Sequence, residues 1–448
     1  MPLRCLSVCL FLSLILLKPL AVKPQTLHYP KEAQFESNSF KILGRLKNHI
    51  LVYTSYVLTN QEVRTLIYVF DTEMHLLRKT ELNLPQYFNF LVSSDVIYLF
   101  YQQEEDEKLY LTCSALNDNG ELIGPLQSVD LGSQAPEWRN RDYQVCYIFS
   151  NQDKSKIMVV QQPLKYSKSI SLSTWLFDNQ MHLEHRSNVT IPVLNWNEEL
   201  HEFNLDNDGN LVFLRISKQA DRNTLFMKEK DQDTVSFTRF LQPGVFINNN
   251  VKLKINDANQ SYVVFANCFK KKHSTESGIY LFAWDKKKRQ PTVSTKTFFP
   301  ETKRGDDLVI HDIKFKKRNG YLVEALSIDP EHRLVLKNIK LVDFDSTGNM
   351  NWAHYIKYTE AKDAGIGIYN TFASDTSIYY FYEQLLKNGH SYISVQGIDA
   401  SGVLQDAAIL KSRTDAYPNI SKGMQISADE FLLPFQDGTY TYIGILKF

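Results

Sequence analysis

A polar turn recurs along this chain at intervals of roughly fifty residues, and a period of that length marks a stacked or radial repeat. Each turn follows an aromatic or β-branched run. LIYVF leads into Asp71-Thr72-Glu73, LTCSAL into Asn117-Asp118-Asn119-Gly120, and LSTWLF into Asp178-Asn179-Gln180. LFMKEK leads into Asp231-Gln232-Asp233, YLFAW into Asp285-Lys286-Lys287, LVDF into Asp345-Ser346-Thr347-Gly348, and ISVQGI into Asp399-Ala400-Ser401-Gly402. Aspartate suits such a position because its side chain accepts a hydrogen bond from its own backbone two residues on, while a following Gly or Asn accepts positive φ. Turn formation therefore explains these aspartates before any calcium or catalytic role.

Between consecutive turns there is room for three further strands. VIYLFYQQ, the charged tip EEDEK, LYLTCSAL and ELIGPLQSVDL form one example; SIYYFYEQ, LKNG, HSYISVQGI and VLQDAAIL form another. Four strands per period describe one blade of a β-propeller. The 24 Tyr and 27 Phe suit sheets packed face to face. After Asp399 the chain stops at Phe448, short of a full period, so its last repeat holds three strands, near Met424–Ser427, Glu430–Pro434 and Thr439–Leu446. A propeller closes by taking the missing strand from the other terminus, and Thr26–Phe35 is the candidate donor. The sequence predicts an all-β propeller of eight four-stranded blades. Seven is the fallback, because the first repeat and the one near Asp231 are weakly marked.

Residues 1–21 read as a signal peptide: MPLR is a positive start, Cys5–Leu17 an apolar core too short to span a bilayer comfortably, and Ala21 a cleavage position. Residues 22–448 then form a single propeller domain with no transmembrane span in the mature chain, secreted or held in the periplasm or cell envelope. The 50 basic and 50 acidic residues balance, which argues against a nucleic-acid partner and leaves protein or glycan partners open. Cys113, Cys146 and Cys268 remain in the mature chain; Cys113 and Cys146 lie in adjacent strand segments where pairing is open, but burial as small apolar residues is the favoured reading.

Motifs for chemistry are sparse. Asp206-Asn207-Asp208-Gly209-Asn210 begins like a calcium loop, yet the twelfth position is Ser217 where an EF-hand needs Glu, and a hairpin turn accounts for it. His182, Glu184, His185 and His201 lack a chelating spacing and read as surface residues. Asp306 and Asp307 are adjacent, so on a strand they face opposite sides. The clusters Lys270–Lys272 and Lys286–Arg289 fall at strand-to-strand tips and read as solvated, with an anionic glycan or lipid headgroup as the sharper alternative. No catalytic residue, metal ligand or cofactor site is assigned.

The unit LVDFDSTGNMNWAHYI, Leu341–Ile356, resembles the repeat of bacterial quinoprotein-like β-propellers, in which an Asp, a turn Gly and a Trp four residues later recur; here these are Asp345, Gly348 and Trp352. The resemblance implies an exported bacterial propeller. It does not carry the cofactor, since quinoprotein dehydrogenases place adjacent cysteines there and this chain has none. The function expected is a non-catalytic binding or scaffolding propeller, with a glycan hydrolase or lyase acting at the mouth of the central channel as the alternative.

Overall fold

The repeat folds into eight antiparallel blades set in a ring, an eight-bladed β-propeller. This computed structural model describes residues 26–448, apart from 29, 31–33, 37–38, 58–62, 85–87, 94, 107, 134–144, 163–168, 193–197, 218–222, 242–244, 271–275, 300–306, 317–319, 329–335, 358–368, 375, 386–390 and 411–415. Residues 1–21, read above as a signal peptide, lie outside the described residues, as do Lys271, Lys272 and Asp306. Among the described residues, no helix is long and apolar enough to cross a membrane.

Blades 1 to 7 are four-stranded meanders over 39–82, 88–133, 145–192, 199–239, 246–298, 307–357 and 369–410. The first strand of each blade is the inner one. Ser39–Leu46, Phe88–Val92, Val145–Ser150, Glu199–Leu205, Phe246–Asn256 and Asp307–Phe315 touch one another in succession around the axis.

Blade 8 is shared between the termini, as expected. Thr26–His28 and Gln34–Glu36 both pair antiparallel with Tyr440–Lys447, Leu27 opposite Leu446 and Phe35 opposite Thr441. Its inner position is split into Tyr417–Pro418 and Met424–Gln425, with a 3-10 turn at Ile420–Lys422 between them. Pro418 has no N–H to extend the ladder, and the turn drives Ile420 fully into the core between blades 7 and 8.

Each blade interface holds its own apolar cluster. One joins Leu432, Ile443 and Ile445 of blade 8 to Ile50, Val52 and Phe70 of blade 1, so the ring is sealed by packing as well as by strand exchange. Burying each such side chain contributes about 1.5–3 kcal/mol.

The recurrent turns are the outer hairpins, between third and fourth strands. Asp71, Asp178, Asp345 and Asp399 each accept, through one carboxylate oxygen, the backbone N–H groups two and four residues on. Two expectations need correction. In blade 2 the residue making these bonds is Asn117, not Asp118. In blade 4 the turn begins at Glu229, whose carbonyl accepts from Gln232, so Asp231 does not start it.

The third residue after the turn's start enters the left-handed region, and what stands there depends on the preceding blade. Gly348 has φ +87°, and a Cβ on it would lie 2.5 Å from Thr295 Cγ2 of blade 5. Met74 and Met181 take φ of +65° and +66°, and both are buried against the blade before them. The left-handed conformation costs a non-glycine residue about 1–2 kcal/mol, which burying a methionine offsets.

Candidate functional site at the axial mouth

Four successive inner strands, from blades 3 to 6, wall a cavity of about 360 Å³ at the axis. Alternation along a strand places Tyr147 and Phe149 of blade 3 on one face, and Lys252 and Lys254 of blade 5 on another, while Leu253 between them turns into the core between blades 4 and 5. Blades 4 and 6 depart from plain alternation. Their pairing registers slip between His201 and Asn204 and between Ile310 and Asp312, so each carries a β-bulge facing the mouth. Glu202 sits in the first bulge at φ +54°. A non-glycine residue in that region, outside any hairpin turn, is local strain of the kind that clusters at binding and catalytic sites.

The bulge aims the Glu202 carboxylate at the next blade. It is 3.0 Å from Lys252 Nζ and accepts the Leu253 backbone N–H at 3.3 Å. One blade on, Lys254 Nζ lies 2.9 Å from Asp312. Burial alone would lift the Asp312 carboxyl, but the Lys254 hydrogen bond and charge, with the Ile313 N–H, outweigh it and hold the group below its ordinary value. Further round, Lys314 Nζ reaches Thr371 Oγ1 at 2.9 Å, and the Asn370 amide donates to the Gly423 carbonyl at 2.7 Å. Inner strands from blade 4 to blade 8 are thus stitched together by side chains.

Behind the charged wall stands an aromatic one. Tyr147 packs on Phe203 with ring centroids 4.7 Å apart, and the stack continues outward through Phe213 and Phe226 to Phe237 at the rim of blade 4. Burial, then the Glu199 charge, raises the Tyr147 hydroxyl above its ordinary value, so it is a neutral donor at physiological pH.

A second concavity, of about 440 Å³, lies between blades 4 and 5 at their turns. Here the sequence reading of Lys286 as solvated is overturned. Its side chain is 8% exposed, and its ammonium is 2.8 Å from both Asp206 and Asp208 and 3.5 Å from Asp257. Tyr262 donates to the same Asp206 carboxylate at 2.8 Å. The segment that begins like a calcium loop is a hairpin whose cation is a lysine from the neighbouring blade. Lys287 and Lys288 remain at the tip, and Arg289 pairs with Glu229.

His182 is at the surface, as expected, and it also braces its turn: its Nδ1 is 2.9 Å from Asp178 Oδ2. His75 stands in the same way beside Asp71, 3.0 Å away. The ligand atoms of Asp71, Glu73 and His75 all lie within 4.8 Å of one another, a grouping able to approach a metal ion. In the blade 3 turn, however, Gln180 replaces the glutamate and the hydrogen bonds persist, so the turn is what the two share. The repeated Asp-x-x-Met-His at 71–75 and 178–182 is the sequence signal for it. His201 lines the axial cavity, 3.0 Å from Glu199. The three cysteines are free; Cys113 and Cys268 are buried and Cys146 half-buried, and burial pushes all three thiols up to about 12. Trp352, which carried the family resemblance, lies beneath Gly402 of the next blade's turn, and His354 beside it bonds the Gly402 carbonyl at 2.8 Å. Its place is structural.

No protein-family model matches the chain, and no curated protein matches it. Solved structures match it in outline. BamB from Moraxella catarrhalis is 11% identical over 94% of this chain and 100% of its own, with a TM-score of 0.43. The WD40 domain of SCAP from fission yeast is 9% identical over 94% of this chain and 98% of its own, at 0.45. Prolyl oligopeptidase B from Galerina marginata is 8% identical over 82% of this chain and 47% of its own, at 0.41. Likenesses this distant go no further than the fold. The chain is an eight-bladed β-propeller with a polar, aromatic-backed mouth on its axis.

Proposed function

We propose that this protein is an exported, non-catalytic propeller that binds a partner at the axial mouth of blades 3 to 6. The observation that carries the reading is the convergence there of Glu202, Lys252, Lys254 and Asp312 from three different blades, beside half-buried aromatic rings. A wall that only sealed the axis would favour apolar residues; this one leaves charged groups reachable, with Lys254 40% and Asp312 32% exposed. Mostly preformed clefts with a few placed polar groups are where ligands bind.

The catalytic alternative is a glycan hydrolase or lyase, and hydrolysis needs one carboxyl raised to act as an acid. Both carboxylates here are held by lysines, and Asp312 moves the other way. Two measurements test the proposal. Affinity capture from the source's envelope and secreted fractions is expected to recover a partner that is lost with Lys252→Ala plus Asp312→Ala and kept with the tip variant Lys288→Ala. Equal capture by all three proteins sinks the axial site. Cell fractionation is expected to find the chain outside the cytoplasm and shortened near residue 21; full-length protein in the cytoplasm alone overturns export.

A further inference from the structure

The lysines and carboxylates that line the mouth are paired. Glu202 is matched by Lys252, and Asp312 by Lys254, each pair spanning two adjacent blades. A strongly charged ligand would have to break one of these pairs, and an anionic one would also meet the exposed Glu199 carboxylate beside His201 and Tyr147. What the mouth offers instead is alternating hydrogen-bond donors and acceptors. Lysine ammonium groups and the Tyr147 hydroxyl donate, carboxylate oxygens accept, and His201 and the exposed His311 serve as either. Beside them lies the half-buried ring of Tyr147, the inner end of a stack that Phe203 and Phe213 continue behind it and so hold in place.

An uncharged ring with one apolar C–H face and a rim of hydroxyls meets all of these features together. The C–H face packs on an aromatic ring, and hydroxyls are donor and acceptor at once, so they bridge an ammonium and a carboxylate without separating them. A cavity of about 360 Å³ lies at the low end for small-molecule sites, the size of one or two sugar rings. We infer that the axial mouth of blades 3 to 6 binds a neutral saccharide, stacked on Tyr147 and hydrogen-bonded by the Glu202–Lys252 and Asp312–Lys254 pairs. This inference rests on the binding role proposed above and assigns its ligand class.

The bulge gives the site its register. Without the slip between His201 and Asn204, Glu202 would fall on the opposite side of its strand, since side chains alternate. The strain at Glu202 is then the conformational cost of presenting a carboxylate where a hydroxyl is read.

The test is titration of the whole folded chain, by calorimetry and by thermal shift, with neutral mono- to tetrasaccharides and with uronic-acid, sulfated and amino-sugar counterparts. Neutral sugars are expected to bind, with little dependence on salt. Tyr147→Ala is expected to weaken them about tenfold or more, as loss of an aromatic contact does. His311→Ala, at an exposed position, is expected to weaken them measurably while the thermal midpoint of the free protein stays put. Lys288→Ala, at the distant tip, is expected to leave binding intact. Binding confined to charged sugars overturns the neutral class. Absence of saccharide binding together with capture of a protein through Lys252 and Asp312 overturns this inference and leaves the binding role standing. Absence of any ligand at the mouth removes both.

Discussion

The rim turns and the axial mouth use the same carboxylates and satisfy them in opposite ways. At the rim, Asp345 is bound by Thr347 and Asn349, all within four residues of it. At the mouth, Glu202 is bound by Lys252 and Leu253 from the next blade. The cluster around Lys286 stands between these cases, joining a hairpin of blade 4 to the outer turn of blade 5. The rim carboxylates build the fold, whereas those at the mouth are supported by a fold that is already built. Substitutions at the rim should therefore cost stability, and those at the mouth should cost binding.

The largest effect expected at the rim is from Gly348→Val. The substitution combines a left-handed φ of +87° with a Cβ only 2.5 Å from Thr295 Cγ2. Strain and overpacking together are expected to cost about 3–5 kcal/mol, read as a fall in the denaturant midpoint. A loss below half of that would mean the blade 5–6 interface yields more easily than its packing indicates.

Next comes Lys286→Met, expected to cost about 3 kcal/mol, since removing one partner leaves buried carboxylates uncompensated. Its pH dependence gives a sharper test. Burial already raises the Asp257 carboxyl above its ordinary value, ahead of the opposing Asn207 N–H and Lys286 charge. A raised acid penalises folding above its pKa, and the penalty lifts as pH falls through the folded value. The variant should therefore regain stability relative to wild type on mild acidification. A deficit that stays constant between neutral pH and pH near 5 would count against the cluster as the cause.

Asp345→Ala is smaller, about 1 kcal/mol for the lost turn hydrogen bonds, and its pH signature has the opposite sign. The Thr347 hydroxyl bond, outweighing the modest effect of burial, and the Asn349 and Thr347 N–H groups hold the Asp345 carboxyl down at about 2 against an ordinary 3.8. Its contribution is fully present above 3.8 and is lost as pH falls through about 2. The gap between wild type and variant should close over that window. A gap that persists below it would show that the side chain acts through packing.

The same contrast explains what could be read from the sequence. Aspartate turns are local, so LVDFDSTGN announces its hairpin without knowledge of any other blade, and the count of such turns leads to eight blades and a shared closing sheet. Asn117 and Glu229 were displaced by a residue or two from the expected aspartates because the neighbouring Asp118 and Asp231 offered the same chemistry on paper. Met74 and Met181 were hidden for a different reason: a methionine at positive φ is justified only by the blade beneath it. The mouth was illegible for that reason too. Glu202 and Lys252 lie in different repeats, and nothing in either strand marks the bulge that brings them together. Lys286 was misread because a lysine at a hairpin tip is usually solvated, and here a neighbouring hairpin covers it.

The smallest expected change in stability is the one that separates the two regions most clearly. Glu202→Gly removes a non-glycine residue from φ +54°, a relief of about 1 kcal/mol. It also removes an ion pair with Lys252 whose side chains are 22% and 33% exposed, a loss of about 0–1 kcal/mol, and the acceptor of the Leu253 N–H, about 1 kcal/mol more. The net effect on stability is expected to lie within about 1 kcal/mol of zero, measured by thermal midpoint. Binding at the mouth is expected to fall, because the carboxylate that the bulge presents is gone and Lys252 is left without its partner. A protein that kept its stability and lost its ligand would show strain maintained for recognition. If Glu202→Gly instead destabilised the fold by more than about 2 kcal/mol, the bulge would belong to the architecture, and the mouth would follow the same rule as the rim.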